Sequence, residues 1–272
     1  MKYYNQLKKL KSFRRKDIVE LVGSRYRANL LINSCLEKGY IKRVRRDFYV
    51  VMDIKYGEPL LNRYQIATRM FDDAFLTYHA AFEFYSCVYM PYGVIEISTK
   101  HRFKEIKFDW YYFARVDYSV KRGICELDGI RVASLERTIV ECIRKVNKLI
   151  DMYELIECIK LIDRPLNEVE LLRILEDYGS GSLYQKCGYI LEALNYDEKM
   201  EISYWFFTEC RKHISKHKYY LDSKDICTTY NKTWRLYVPK SIHSYWCDYN
   251  GIPLELFLAD ECFKVDSIWV FL

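Results

Sequence analysis

The first fifty residues have a pattern that strongly limits what this chain can fold into. Apolar residues recur at helical spacing in residues 5–10 and 15–22, and Gly23 ends the second of these helices. Ser24 is a good N-cap for a third helix, residues 25–39, which closes at Gly39. Two short alternating strands follow in residues 40–51, around Arg45-Arg46-Asp47. This order predicts a winged helix-turn-helix over residues 1–54, which we call the head.

The head also differs in charge from the rest of the chain. Its first fifty residues hold 14 Lys and Arg against 4 Asp and Glu, a net charge of +10, whereas the remainder has 29 basic and 33 acidic residues. A basic segment on a mildly acidic body indicates a polyanionic partner, most often nucleic acid. The alternative is a solvated basic face without a partner.

The third helix and the hairpin supply the candidate contacts to double-stranded operator DNA. Apolar Ala28, Leu31, Ile32, Cys35 and Leu36 form one stripe of the helix, which leaves polar residues for the opposite face. Arginine pairs with guanine and asparagine with adenine in the major groove, whereas wing cations neutralise phosphates. Ser24, at the positive end of the helix, could meet a phosphate. The predicted DNA-binding residues are Ser24, Arg25, Tyr26, Arg27, Asn29 and Asn33 on the helix and Lys42, Arg43, Arg45 and Arg46 in the hairpin. Alternatively, the hairpin cations only block strand pairing.

The pattern changes after about residue 57 and predicts a second domain over residues 58–272. Residues 73–87 read as a core helix, and residues 88–100 and 103–116 read as strands, with a hairpin around 122–129. Ser134 caps a further helix, and helices continue from 151 to 194 with breaks near 164–165 and 179–181. A last helix, about 198–214, precedes strand-like and irregular sequence to residue 272. The predicted fold class is therefore α+β, a winged helix-turn-helix followed by a larger mixed domain with a helical C-terminal half.

Composition excludes several classes of protein. Hydrophobic residues make up 50% of the chain, which is enough for a real core and excludes disorder. Ten cysteines are scattered without a C-x-x-C pair, which indicates reduced thiols. We find no apolar run of the roughly 18–20 residues that a bilayer span needs, and the beginning of the chain lacks a secretory h-region. We therefore expect a cytoplasmic protein that does not bind membranes.

Enzyme chemistry has little support in the sequence. Glu96, Lys100 and Asp109 form a loose version of a nuclease metal site, but Glu96 and Lys100 are about 13 Å apart along a strand, whereas a nuclease pair is usually spaced i, i+2. Cys210 and His213, with His217, are spaced i, i+3, i+7 on the last predicted helix, but no fourth ligand is evident. A buried cysteine with two surface histidines is the favoured alternative. We find no nucleophile, P-loop or dinucleotide signature. The prediction is a protein that is not an enzyme, without catalytic residues, metal or cofactor.

Two further features admit both a structural and a functional interpretation. Glu136 and Arg137 point about 100° apart on a helix, so one could be buried and paired while the other is exposed, and a structural ion pair is favoured over catalysis. The 26 Tyr, 14 Phe and 5 Trp could stack on single-stranded nucleic acid. Core packing is the favoured reading, particularly for Trp205, Phe206 and Phe207.

Several short segments in a fixed order give the chain a family resemblance. They are Lys38-Gly39-Tyr40-Ile41, Arg45-Arg46-Asp47-Phe48-Tyr49-Val50, Tyr78-His79-Ala80-Ala81, Ser134-Leu135-Glu136-Arg137-Thr138-Ile139-Val140-Glu141, Tyr189-Ile190-Leu191-Glu192, and Trp234-Arg235-Leu236 after Leu221 and Asp222. In this order the chain resembles the AbiEi family, the antitoxins of type IV toxin-antitoxin systems linked to phage abortive infection. The resemblance covers roughly residues 5–240. It departs from the family where Asp47 replaces the usual wing glycine and where Ser134-Leu135 replaces Asp-Pro.

The resemblance implies a regulator with two activities. The winged helix would bind repeats in the promoter of its own operon and repress it. The larger domain would counteract a cognate nucleotidyltransferase-like toxin without forming a stable complex with it. The alternative is a winged-helix transcriptional regulator whose second domain senses a ligand or docks a protein partner.

Overall fold

The computed structural model describes residues 3–195 and 200–240. The mixed α+β class predicted from the sequence is confirmed. The chain divides into two compact units. The first contains the described residues up to Phe84 with Met90–Ser119 and Ile124–Ala133, and the second contains Tyr85–Tyr89, Val120–Gly123 and the described residues from Ser134 onward. The first unit thus joins the head to the strands that follow it, and the domain boundary at residues 54–58 stays a prediction.

The head contains three helices and a three-stranded antiparallel sheet. Its elements are α1 (Tyr4–Leu10), β1 (Ser12–Phe13), α2 (Arg15–Val22), α3 (Arg25–Glu37), β2 (Ile41–Arg45) and β3 (Phe48–Val51). The strand order is β1-β3-β2. The predicted helices and hairpin are confirmed, whereas β1 was not predicted because two residues are too few to show an alternating pattern.

The head has a hydrophobic core of its own. Ile18 of α2 and Ala28 and Ile32 of α3 pack with Leu7 of α1 and with Val51 of β3. Gly23 lies in the left-handed region at φ +71° and ends α2. This turn lets α3 pack across α2 and cover the same core, which leaves the other face of α3 uncovered.

The rest of the first unit is a six-stranded sheet with two helices. Its elements are α4 (Arg63–Arg69), β4 (Phe75–Leu76), α5 (Tyr78–Phe84), β5 (Val94–Ser98), β6 (Ile106–Phe108), β7 (Tyr111–Val116), β8 (Ile124–Leu127) and β9 (Ile130–Ala133). The strand order is β6-β7-β5-β4-β9-β8, with parallel pairing of β5 to β7 and of β4 to β9. The predicted strands are confirmed, but the helix expected over 73–87 begins only at Tyr78, because residues 75 and 76 form the strand β4 between β5 and β9.

The second unit is mainly helical. Its elements are α6 (Leu135–Arg144), α7 (Met152–Lys160), α8 (Glu168–Tyr178), α9 (Gly181–Leu194), α10 (Tyr204–Lys212), β10 (Tyr219–Tyr220), β11 (Thr229–Asn231) and β12 (Leu236–Val238). The helix breaks and the Ser134 cap are confirmed, since the Ser134 side chain accepts from the Arg137 amide. The last helix is shorter than predicted. Residues 196–199 and 241–272 lie outside the described part of the chain, and so does the predicted strand-like and irregular segment past residue 240.

Glu136 and Arg137 differ from expectation, because both are buried. Arg137 pairs with Glu141 one turn away, and its guanidinium also donates to the carbonyls of Val120 and Arg122 at 2.9 and 2.7 Å. Glu136 accepts from the amide of Asn167 at 3.1 Å. The expectation that one of the two is exposed is wrong, since each is buried with its own partners.

Candidate nucleic-acid interface

The uncovered face of α3 is a polar surface of the head. Arg25, Arg27 and Asn33 are exposed, and Tyr26 is 72% exposed. Asn29 is half-buried beside them. None of these five side chains forms a hydrogen bond or an ion pair with another described residue. The structure therefore brings the predicted helix residues onto one free surface, with Asn29 at its margin.

Ser24 lies at the beginning of this surface. Its backbone is extended, at φ −153° and ψ 133°, as expected for an N-cap residue. Its side chain does not accept a hydrogen bond from the first turn of α3. The hydroxyl and the first amides of α3 are consequently available to an external acceptor or anion.

Sequence reasoning missed one residue of this surface. Leu30 is 53% exposed and lies one turn after Tyr26, in line with Asn33. Its apolar type made it a candidate for the core, but the helical period puts it on the polar face. An exposed apolar side chain among polar ones can contact the methyl group of thymine.

The hairpin is held firmly against the beginning of α2. Its turn places Asp47 in the left-handed region at φ +62°, where glycine would be unstrained and where Asp is tolerated. The Asp47 carboxylate accepts from the backbone amide of Arg15 at 3.1 Å. The aromatic rings of Phe13 and Tyr49 stack at 5.5 Å between β1 and β3. These contacts fix the position of the hairpin relative to the helices.

The four predicted hairpin cations differ in their environment. Arg46 is exposed, and Arg43 is exposed with its Nε donating to the carbonyl of Arg45 at 3.3 Å. Lys42 forms an ion pair with Asp109 at 2.9 Å. Arg46 is thus the least engaged of the four.

Arg45 is bound within the first unit. Its guanidinium donates to the carbonyl of Met70 at 2.7 Å and lies 4.2 Å from the centre of the Phe71 ring. Burial, followed by the nearby charge of Arg14, lowers the pKa of Arg45. A phosphate would have to compete with these contacts, so Arg45 is a packing residue more than a free wing cation.

A cleft of about 410 Å³ lies in the same unit, beside the beginning of α2 and the end of α4. Its charged lining is mixed. Arg14 is paired with Asp72 at 2.8 Å, and Arg131 donates to the carbonyls of Thr68 and Phe71. Lys16 and Arg69 also line the cleft, together with the carboxylates of Asp17, Asp72 and Glu126.

The rival metal and nuclease sites do not assemble. Glu96 is buried and accepts from the backbone amide of Ala80 at 3.1 Å, and Asp109 pairs with Lys42. Helix α10 ends at Lys212, so the predicted placement of His217 on the same helix as Cys210 is wrong. Within residues 3–195 and 200–240, no three His, Cys, Asp or Glu side chains converge in a way that could hold a metal ion.

In the part of the chain that the structure describes, we find no helix with the length and apolar run that crossing a membrane requires.

These observations define an α+β protein with a basic three-helix head. No protein family and no curated protein matches the chain. Its fold is similar to the crystal structure of the RV2827C protein from Mycobacterium tuberculosis, with a TM-score of 0.61 and 12% sequence identity over 84% of this chain and 86% of that chain. At this level of identity the likeness establishes a shared fold alone.

Proposed function

We propose that the head is a winged helix-turn-helix that binds operator DNA. The observation that carries this proposal is the polar face of α3, which displays Arg25, Tyr26, Arg27 and Asn33 on the side away from the core of the head and forms no hydrogen bond or ion pair with other described residues. An α-helix fits the major groove, and these residue types can read base edges there. In this proposal Arg43 and Arg46 of the hairpin would neutralise flanking phosphates.

We further propose that the whole chain is an AbiEi-like antitoxin of a type IV system. It would repress its own operon through the head and counteract a nucleotidyltransferase-like toxin through residues after the head, in the cytoplasm and without catalysis, metal or cofactor. The order of the quoted segments supports this proposal.

On the helix side, substituting Arg25→Ala or Arg27→Ala is expected to weaken binding to the cognate operator by about 1–3 kcal/mol each and to relax base preference. The reason is that a bidentate arginine contact to guanine is lost while phosphate contacts persist. Fluorescence anisotropy on the promoter of the chain's own operon, against a scrambled duplex, measures both effects. An equal loss of affinity for both duplexes would contradict a role of α3 in base recognition.

The hairpin offers a matched pair of variants. Arg46→Ala is expected to weaken binding to all duplexes and to reduce the slope of log Kd against log salt by about one unit. Arg45→Ala should instead lower the free energy of unfolding, because its hydrogen bond to Met70 and its contact with Phe71 are lost. Salt titrations and urea unfolding of the two variants separate these roles. A change of base preference in Arg46→Ala would reverse the assignment.

The antitoxin activity can be tested in the intact chain. Because the head belongs to the same compact unit as the six-stranded sheet, point variants are preferable to removal of residues 1–57. A double variant, Arg25→Ala with Arg27→Ala, should still rescue a host that expresses the adjacent toxin gene from a foreign promoter. Loss of rescue together with loss of DNA binding would mean that repression is the whole activity.

The second candidate is a winged-helix regulator that senses a ligand or docks a protein partner. A cavity of about 290 Å³ with polar lining in the second unit favours it. The neighbouring gene distinguishes the two candidates, since a co-transcribed nucleotidyltransferase supports an antitoxin and a metabolic operon supports a ligand-sensing regulator.

A further inference from the structure

The small sheet of the second unit has one face packed on the core and one face turned outward. Its strand order is β10-β12-β11, with β10 parallel and β11 antiparallel to β12. Leu236 and Val238 of β12 are fully buried, whereas Tyr237 between them is half-buried. Because side chains alternate along a strand, Tyr237 lies on the outward face.

Two more tyrosines lie beside Tyr237 on the neighbouring strands. The register pairs Tyr220 of β10 and Tyr230 of β11 directly with Tyr237. The rings of Tyr220 and Tyr237 are stacked with their centres 4.9 Å apart. The rings of Tyr230 and Tyr237 are tilted with their centres 4.8 Å apart. The three rings therefore form a row across the sheet, which we call the tyrosine row.

Each end of the tyrosine row carries a lysine. The ammonium group of Lys224 lies 5.5 Å from the centre of the Tyr220 ring. The ammonium group of Lys218 lies 4.7 Å from the centre of the Tyr230 ring. Both lysines are exposed, and neither forms an ion pair with another described residue. Their charges are consequently open to an anionic partner.

The segments that border the three strands are basic, although the chain after the head is mildly acidic as a whole. Residues 216–218, 222–225 and 232–235 contain five Lys and Arg against two Asp. A partner that covers the tyrosine row would therefore meet an excess of positive charge at its edges. This charge favours a polyanion over an apolar peptide.

The hydroxyl groups of the tyrosine row add a polar feature to the stacked rings. None of the three hydroxyls forms a hydrogen bond with another described residue. Stacking alone would be served equally well by phenylalanine. A tyrosine hydroxyl can also donate to or accept from the 2′-hydroxyl of a ribose, the group that distinguishes RNA from DNA.

Aromatic rings flanked by cations suit single-stranded nucleic acid, because every base has a π-face and every nucleotide carries a phosphate. Tyr237 is the middle ring of the row, so a base can stack on the end rings of Tyr220 and Tyr230, where the lysines lie. A base that stacks there moves the ammonium group from the ring to a neighbouring phosphate. A duplex exposes base faces only at its ends and cannot use the row in this way.

We propose that the tyrosine row binds single-stranded RNA. Bases stack on the rings of Tyr220 and Tyr230, and ribose 2′-hydroxyls form hydrogen bonds with the tyrosine hydroxyls. Lys218 and Lys224 neutralise the phosphates next to these bases. The inference does not rest on the DNA-binding proposal, because the tyrosine row lies in the other compact unit.

Fluorescence anisotropy of the full chain with a labelled uridine octamer tests the proposal. The octamer should bind, and a deoxyuridine octamer should bind about fivefold more weakly, since hydrogen bonds to the 2′-hydroxyl are lost. An unlabelled RNA duplex of eight base pairs should compete at least about tenfold less well than the unlabelled octamer. Absence of binding, equal affinity for the two octamers or equal competition by the duplex would overturn the proposal.

Substitutions at Tyr230 separate stacking from hydrogen bonding. Tyr230→Ala should weaken binding of the uridine octamer by about tenfold, since one base loses its stacking partner. Tyr230→Phe keeps the ring, so it should retain the affinity for the deoxyuridine octamer and lose part of the preference for RNA. The matched control is Tyr153→Ala, which removes an exposed tyrosine of α7 in the same unit and should leave the affinity unchanged. Wild-type affinity in Tyr230→Ala would contradict the proposal.

A charge variant distinguishes lost binding from lost folding. Lys218→Gln replaces an exposed side chain and should leave the fold intact. It should weaken octamer binding and reduce the slope of log Kd against log salt by about 0.7. The double variant Arg25→Ala with Arg27→Ala should bind the octamer as the wild type does. An unchanged salt slope in Lys218→Gln, or loss of octamer binding in the double variant, would place the site elsewhere and overturn the proposal.

Discussion

Replacing Arg137 with methionine is expected to destabilise the second unit by about 3–5 kcal/mol, because a buried carboxylate loses its charged partner. Arg137 is fully buried, and its Nε and Nη2 both donate to the same oxygen of Glu141, at 3.0 and 2.9 Å. It also joins α6 to the carbonyls of Val120 and Arg122. The substitution removes the Arg137 guanidinium from Glu141 and leaves the hydrogen bond that the Tyr178 hydroxyl donates to this carboxylate.

Urea unfolding measured by circular dichroism gives the loss in free energy of unfolding. The matched control is Arg173→Met, which removes an exposed arginine of α8 and should change stability by about 0.5 kcal/mol or less. Adding Glu141→Leu to Arg137→Met should recover part of the loss, since the buried carboxylate that lost the Arg137 guanidinium is then removed. An Arg137→Met protein within about 1 kcal/mol of wild type would show that the buried pair is not a structural requirement.

Replacing Trp234 with alanine is expected to cost about 3–5 kcal/mol, as for other large buried side chains. Trp234 is fully buried, and its Nε1 donates to Glu192 at 2.5 Å. Its ring lies directly on α9 at Gly188, where an added Cβ would be only 2.1 Å from two ring carbons. Removal of the indole therefore opens a cavity and leaves Glu192 without one of its hydrogen-bond donors.

The Gly188 contact allows a test in which the change in the free energy of unfolding should differ in sign between two backgrounds. In the wild-type protein, Gly188→Ala should destabilise by about 1–3 kcal/mol or more, because the new methyl group overlaps the indole ring. In a Trp234→Ala background the same substitution should stabilise by up to about 1 kcal/mol, since alanine is the better helix former. Chemical denaturation of the wild type, the two single variants and the double variant completes this double-mutant cycle. The same sign in both backgrounds would contradict the close packing of Trp234 on α9.

The polar face of α3 was predictable from the sequence, because helix capping and the helical period determine it. Gly23, Ser24 and Gly39 set the limits of α3, and the helical period assigned Arg25, Arg27 and Asn33 to its outer face. Those assignments depend on residues that are near each other in the chain. The environment of Arg45 was not predictable, because its partners Met70 and Phe71 lie some 25 residues further on, just after α4, a helix that the sequence pattern did not reveal.

The same distinction holds for the fold. Local patterning determined most helices and strands, since period and capping act within a few residues. It missed β1 and merged β4 with α5, because two-residue strands exist only through pairing with distant partners. It also missed the helix α4.

The sequence by itself determined the basic head, its order of elements and the polar face of α3. Tertiary structure alone decided which cations are engaged, as Lys42 is paired with Asp109 whereas Arg46 has no ion pair with any residue that the structure describes. It alone also brought Arg144, Ser182 and Lys186 around one cavity. The physical reason is that charge and helical period are properties of neighbouring residues, whereas burial and ion pairing depend on which distant segments pack together.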